Sequence, residues 1–527
     1  MIAPRRPRLS PALILSAAGF LLLPCIILGN LHYTPGDDAL RHVAKAMTGR
    51  PLTDVLIMND GYPNDHNPGW HALLGLAHKL FGLGSVPLLY FSILLLYGLF
   101  IFAPALFARD RVAWFVATGA TLLTSLICYR TMQGRPLLVS CTATLIIFLI
   151  WSERREIGRV NLAFITAFLI AASVWIHGAW YLFALIPLSY LLAGAAADAG
   201  AIALCWIVGT LLGARLTGHA IQFLVQALRM VADCARVPES QLQTEFKSDM
   251  ETYLIALPIS GLLLVRVTGK RPLRHLLRSP EFMLLLTCFV LGLRNKRFWS
   301  DWGCLGLLLL IYREVHCIME QDRKMRVLSV CLFVSLLFCV PRRFEPAGNG
   351  SISKYVDFGA KSLAPWRPAP GGTVYSCSQD FFYTHFFRFP EAKWKYVLGY
   401  EPCTMTEENL KVLRAIQETR EAREAIVPWQ QAMRAGDILV LSGERYNPSW
   451  EFPSLVWTNA GDYWVGAIPG PSQPSLTASG FIHVRGSQSA HDGRPMDRVG
   501  RAHGGDDGPV RPRLAEGPGT PNSLRLK

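Results

Sequence analysis

The stretch "TPGDDALRH", residues 34–42, places Asp37, Asp38, Arg41 and His42 within six positions, directly after a long apolar run. Pro35 and Gly36 end a turn, and Asp37 and Asp38 then fall where a helix begins, the end at which the helix dipole favours carboxylates. On that helix Asp38 and His42 are i,i+4, as are Asp37 and Arg41, so each pair shares a face. A carboxylate beside an imidazole can take a proton from a hydroxyl, or it can help hold a divalent ion such as Mg or Mn. Asp37 and Asp38 are therefore the candidates for both roles. Simple capping with an i,i+4 ion pair is the structural alternative.

Further groups of the same kind follow. "NDGYPNDHNPGWH", residues 59–71, holds Asp60, Asp65, His66 and His71, at a spacing that fits no standard zinc pattern. Arg135 precedes Pro136 at the mouth of an apolar run, where a guanidinium can clamp a phosphate through two parallel hydrogen bonds. His177-Gly178 lies between two apolar runs and is flanked by tryptophans. "LRNKRFWSDW" carries Arg294, Lys296 and Arg297. Together these groups offer carboxylates, imidazoles and arginines at one end of an apolar bundle. That set suits transfer chemistry on a phosphate-bearing lipid: the carboxylate deprotonates the acceptor, the arginines hold the leaving phosphate, and the bundle holds the lipid tail.

The elements that must position these groups are membrane helices. Of 527 residues, 51% are hydrophobic and only 17% charged, against about a quarter charged in soluble proteins. The mean hydropathy is +0.28. The apolar residues gather between 11 and 340 in blocks long enough to cross a bilayer. Eleven spans are expected, at 11–31, 86–108, 112–129, 136–152, 160–176, 179–195, 198–214, 253–268, 281–294, 301–313 and 325–340. The N-terminal Arg5, Arg6 and Arg8 and the basic loops at 107–114, 151–159, 266–278 and 312–326 then share one side, which the positive-inside rule makes the cytoplasm. The first run is read as a retained helix rather than a cleaved signal. Segment 67–82 must then be an interfacial helix and 215–252 an outer loop. The net charge of +14 is explained by this topology and gives no reason to invoke nucleic acid.

Three regions result: a multi-spanning membrane domain at 1–341 with an acidic first outer loop at 32–85, a small α/β extracytoplasmic domain at 342–470, and a disordered tail at 471–527, rich in Gly, Pro, Ser, Arg and Asp. The twelve cysteines include no CxxC, and most lie in apolar runs as small hydrophobes. Cys377 and Cys403 are the exceptions and could pair outside the cytoplasm.

The order of these motifs resembles the GT-C glycosyltransferase superfamily. More closely, it resembles the bacterial multi-spanning proteins related to the protein mannosyltransferase and aminoarabinose transferase group. The pattern there is two acidic residues with one position between, then a His four residues after the second. Asp38 and His42 match it. Gly36 stands where the first acid belongs, so Asp37 takes that part. Arg135-Pro136, His177-Gly178 and Arg294 match the later motifs, and the likeness runs over residues 10–340. It implies an integral-membrane glycosyltransferase of the bacterial inner membrane, with a cytoplasmic N-terminus. The enzyme would move a sugar from a polyprenyl-phosphate donor to an envelope glycan, lipid or protein on the outer face. Asp38, Asp37 and His42 would be catalytic. His66, His71, Arg135, His177, Arg294 and Arg297 would bind substrate. Competing readings are a multi-spanning transporter, a lipid-linked ligase or polymerase, and a non-catalytic scaffold for the outer domain.

Overall fold

The computed structural model describes residues 10–469, except for 32, 123–124, 154–156, 236–258, most of 262–271, 322–326, 332, 334–354, 420–421 and 444–447. Helix α1 (Pro11–Pro24) continues as a π-helix over Cys25–Asn30. Helix α2 (Asp38–Thr48) is capped by the Asp37 carboxylate, which accepts from the Ala39 N–H, and it stops at Gly49, whose φ of 66° is the left-handed turn that glycine makes readily. Helix α3 (Pro68–Phe81) opens on a proline at its first position. There follow α4 (Ser85–Phe102), α5 (Arg111–Leu122), α6 (Ser125–Met132), α7 (Leu137–Glu153), α8 (Arg159–Ile176), α9 (Leu185–Leu192), α10 (Ala196–Arg215), α11 (Ala220–Ala235), α12 (Pro280–Gly292) and α13 (Cys304–Gln321).

Among the described residues, five helical stretches are long and apolar enough to cross a membrane: Pro11–Asn30, Ser85–Leu106, Arg159–Ile176, Ala196–Arg215 and Phe298–Gln321. At about 1.5 Å per residue, lengths of this order match a hydrocarbon core of about 30 Å. Three shorter apolar helices accompany them. The expected span at 112–129 is divided between α5 and α6, and the one at 179–195 begins as a 3-10 turn over Trp180–Ala184. The spans expected at 253–268 and 325–340 fall largely outside the described residues. The stretch 215–252, read as a loop, instead contains the amphipathic α11.

The C-terminal region builds a five-stranded mixed sheet, β1 (Thr373–Ser376), β2 (Lys395–Tyr396), β3 (Ile438–Ser442), β4 (Val456–Asn459) and β5 (Tyr463–Ala467), in the order β2-β1-β3-β5-β4. The first three strands are mutually parallel and the last two join antiparallel. Helices α14 (Gln379–Arg388), α15 (Glu407–Glu418) and α16 (Arg423–Ala432) make the crossovers that parallel neighbours require.

This sheet is not set apart from the helices. The described residues between 10 and 469 fall in one compact unit. The first loop lies along the edge strand: Ile57 N–H donates to Tyr396 O at 2.9 Å, Tyr396 N–H to Val55 O at 2.9 Å, and Asn59 N–H to Thr404 O at 2.9 Å. Arg50 adds bonds to the carbonyls of Ala392 (2.6 Å) and Pro390 (3.2 Å). An edge strand that would otherwise offer unpaired backbone groups is thus covered by the loop that carries the acidic motif. Helix α14 packs directly on α2.

Cys377 and Cys403 are thiols and are not joined to each other. Cys377 follows β1, whereas Cys403 sits in the turn Pro402–Thr404 that is drawn to residue 59, so the two belong to different contacts.

Candidate active site

Helix α2 carries the centre of the site. Asp38 Oδ1 accepts from Arg41 Nε at 2.7 Å, and its Oδ2 lies 2.9 Å from His42 Nε2. The expected i,i+4 pair Asp38–His42 therefore forms. The expected pair Asp37–Arg41 does not: Arg41 turns to Asp38, and Asp37 is taken by Arg135, whose Nε and Nη2 donate to its Oδ2 at 3.2 and 2.9 Å. Asp37 caps the helix, which turns its carboxylate off the helical face, where a partner from another element reaches it.

Arg135 is brought there by Gly134. Its φ of 67° makes the sharp entry to α7, and a Cβ at this position would stand 3.2 Å from Ala39 and 3.1 Å from Ile93. A guanidinium on the opposite side of the cluster is just as well determined: Arg41 is 2% exposed and lies 4.2 Å from the Tyr400 ring centroid.

Asp38 faces a cavity of about 980 Å³. Polar groups gather at it from distant parts of the chain. They are His66 and Asn67 from the first loop, Arg135, His177, and Arg294 and Arg297 after α12. Tyr383, Tyr400 and Glu401 reach it from the sheet region. Apolar walls come from α11 (Ala227, Met230, Val231) and from Val290, Leu291 and Leu293. Gly178 donates its N–H to His66 O at 3.0 Å, and a Cβ there would come within 2.9 Å of that oxygen, so the glycine allows the two loops to meet. Gln226 of α11 bonds Asn64 and stands 3.3 Å from His66, and Tyr62 donates to Asp233.

Six of the nine expected site residues thus line one cavity: Asp38, His66, Arg135, His177, Arg294 and Arg297. Asp37, His42 and His71 do not. Asp37 acts through Arg135. His42 and His71 are buried behind Asp38, with His42 Nδ1 at 2.8 Å from His71 Nε2 and His71 Nδ1 at 2.5 Å from Asp65 Oδ2. His71, expected to touch substrate, touches His42 instead, because α3 packs its face against α2. Asp65 belongs to this row although its spacing gave no sign of it. Tyr383, Tyr400, Glu401 and Gln226 were not expected either, since nothing local in the sequence links them to residue 38.

The electrostatics follow from burial and neighbours. Burial by itself would raise the Asp38 carboxyl, but Arg41 and His42 outweigh it and hold it well below the usual carboxylate range. Burial is the largest influence on His42 and, with Arg41, outweighs Asp38 and takes it down to about 4. His66 is likewise pushed down to about 4, chiefly by burial. Asp38 is therefore an anion, and His42 and His66 are neutral, near pH 7.

The donor set does not suit a divalent ion. The oxygens of Asp37 and Asp38 already meet guanidinium and imidazole groups. Among the described residues no three His, Cys, Asp or Glu side chains converge as ligands. The metal-holding role considered for Asp37 and Asp38 is set aside on these grounds.

No protein-family model matches the sequence, and no curated protein matches it. Solved structures of membrane glycosyltransferases share its fold. In particular, the chain is similar to ArnT from Cupriavidus metallidurans in the apo state, with 13% identity and a TM-score of 0.54 over 86% of this chain and 97% of that one. It is similar to the same protein bound to undecaprenyl phosphate, with 12% identity, a TM-score of 0.54 and the same coverage. An oligosaccharyltransferase from Archaeoglobus fulgidus also matches, at 10% identity and a TM-score of 0.47, over 88% of this chain and 75% of that one. The likeness to ArnT establishes the fold.

Proposed function

We propose that this protein transfers a sugar from a polyprenyl-phosphate donor to an envelope acceptor at the outer face of the bacterial inner membrane. The observation that carries this reading is the cavity in which Asp38 and four arginines, Arg41, Arg135, Arg294 and Arg297, meet apolar walls. A phosphate-bearing lipid is both anionic and greasy, and this cavity offers a complement to each part. Asp38 would accept the proton of the acceptor hydroxyl as that oxygen bonds to the sugar's anomeric carbon. The bond from that carbon to the donor phosphate breaks, and the phosphate leaves as an anion held by Arg135, Arg294 and Arg297. Tyr383, Tyr400 and Glu401 would border the sugar or the acceptor, which gives the sheet region a part in the site. The fold shared with ArnT, a protein solved with undecaprenyl phosphate bound, supports the choice of donor class.

A transporter would place ionisable groups along discontinuous helices near the bilayer midplane. Here they gather at helix ends and loops around one cavity, which favours transfer.

The test compares envelope lipids and glycans by mass spectrometry in a deletion strain, in that strain with the wild-type chain restored, and in that strain with the Asp37→Asn/Asp38→Asn pair. A glycan species that disappears on deletion, returns with wild type and stays absent with the Asn pair is the expected result. Full restoration by the Asn pair, with equal amounts of protein in the membrane, would refute the site. No glycan change on deletion would refute the function.

A further inference from the structure

Asp38, His42, His71 and Asp65 form an unbroken row: carboxylate, imidazole, imidazole, carboxylate, with contacts of 2.9, 2.8 and 2.5 Å. Every contact joins two atoms that each bear a lone pair. A contact this short needs a hydrogen between its atoms, because two lone pairs facing each other repel. Three contacts need three protons. Two neutral imidazoles supply two, one each. The row must therefore hold one proton more than its rings carry when neutral.

We propose that Asp65 and His71 are positioning residues that, with His42, hold this extra proton within the row behind Asp38 and so keep its carboxylate ionised and fixed in place. The inference deepens the reading of Asp38 as the proton acceptor and rests on that reading only for its consequence, not for the proton count.

The extra proton has four places to reside, and the surroundings choose between them. Asp38 is held low by Arg41 and His42, against burial. Burial would raise Asp65, but His71, the Asn67 N–H and Lys45 hold it well below the usual range. With both carboxylates ionised, the proton is on the rings. Burial and Arg41 disfavour a cation on His42 alone, so holding the extra proton needs the second ring and the Asp65 carboxylate beyond it. The groups that face the row are Arg41 and Lys45 on the same helix, His66 in the first loop, His177 at the end of α8, and Tyr383 and Tyr400 from the sheet region. Only the two ends of the row are anionic among these at neutral pH, so the cation is flanked by its two counter-charges. His42 and His71 are 0% and 7% exposed, which shields the arrangement from water. Neither ring lines the cavity, so neither can serve as a direct substrate ligand without the row opening.

The test is nitrogen NMR on the full chain, labelled with 15N-histidine and reconstituted in lipid nanodiscs, between pH 6 and 9. The expected spectrum at pH 8 contains one ring with both nitrogens protonated, and a nitrogen–nitrogen coupling across the His42–His71 hydrogen bond. Both signals should be lost in His71→Gln and in His42→Gln, which assigns them. Asp65→Asn should keep the coupling at pH 6 and lose the protonated ring at a pH lower by at least one unit, a tenfold weaker hold on the proton. Histidine rings that are all neutral in the wild type at pH 8, with no coupling between nitrogens, would overturn the proposal whatever the variants do. This readout does not depend on any substrate. A row that is present in a strain comparison showing no glycan change would sink the transferase reading alone.

Discussion

Two aspartates border the same cavity, Asp38 and Asp301, and their pairs with arginine are built in opposite ways. Asp38 and Arg41 sit three residues apart on α2, at 2.7 Å, with the cation sealed (2% exposed) and the carboxylate open (24%). Asp301 and Arg130 join the π-helix Phe298–Gly303 to α6, at 2.9 Å, and here the carboxylate is the sealed partner (6% against 14%). Asp301 also accepts from Ser300 at 3.1 Å. The first pair forms wherever α2 forms, and it leaves an anion facing space. The second ties two segments that are distant in sequence and leaves little for a ligand to reach. The difference separates a carboxylate placed for chemistry from one placed for assembly, though both share a cation and a wall.

That separation can be broken most decisively at its ends. Asp38→Asn keeps the shape and the helix, and it should lower sugar transfer by about 100-fold or more, the usual worth of a placed base. The amount of protein in the membrane should stay near wild type. Measuring product per unit of protein checks both halves, and unchanged turnover would move the base elsewhere. Asp301→Ala should do the reverse, leaving Arg130 without its buried partner at a cost of about 3–5 kcal/mol. It should show as a lowered thermal midpoint in detergent, and an unchanged midpoint would contradict the assembly role.

A smaller effect is expected from Arg294→Ala and Arg297→Ala. Each should weaken binding of undecaprenyl phosphate by about tenfold, in keeping with about 1.5–3 kcal/mol for a hydrogen bond to a charged group. Titration with the lipid reads this, and it should leave the thermal midpoint of the unliganded protein in place. The smallest concerns pH. His66 is neutral in the fold, pushed down to about 4 mainly by burial, whereas an unfolded histidine titrates near about 6.5. Between those values the unfolded state binds more protons, so this contribution is present above about 6.5 and is lost as pH falls towards 4. Because His66 is half-buried, the loss should be modest, about 1 kcal/mol after allowing for its exposure. The variant His66→Gln should flatten this part of the pH dependence of the thermal midpoint.

The parts of the site that were legible in the sequence are those set by spacing on one element. The pair Asp38–His42 follows from helical periodicity and an N-terminal cap, and such local patterns are written in consecutive residues. The membrane-helical class was legible as well, since long apolar runs admit few other structures. The arginines at 135, 294 and 297 could be named because basic groups at the mouths of apolar runs stand out against their surroundings. Their convergence on one cavity could only be guessed at.

Other features came from tertiary structure alone. Asp37 pairs with Arg135 rather than Arg41, because a capping residue leaves the helical face and meets whatever α7 brings to it. His71 meets His42 and not a ligand, because α3 packs on α2, and no sequence pattern states which faces of two helices will touch. Asp65, Tyr383, Tyr400 and Glu401 enter through loops and crossovers whose contacts are long-range. The sequence by itself determined what each helix is and which charges sit near its ends, because those depend on neighbours within about a turn. The fold decided which ends meet, and with that which aspartate faces the cavity and which histidines stand behind it, because packing between distant segments is chosen by the shape and burial of the whole.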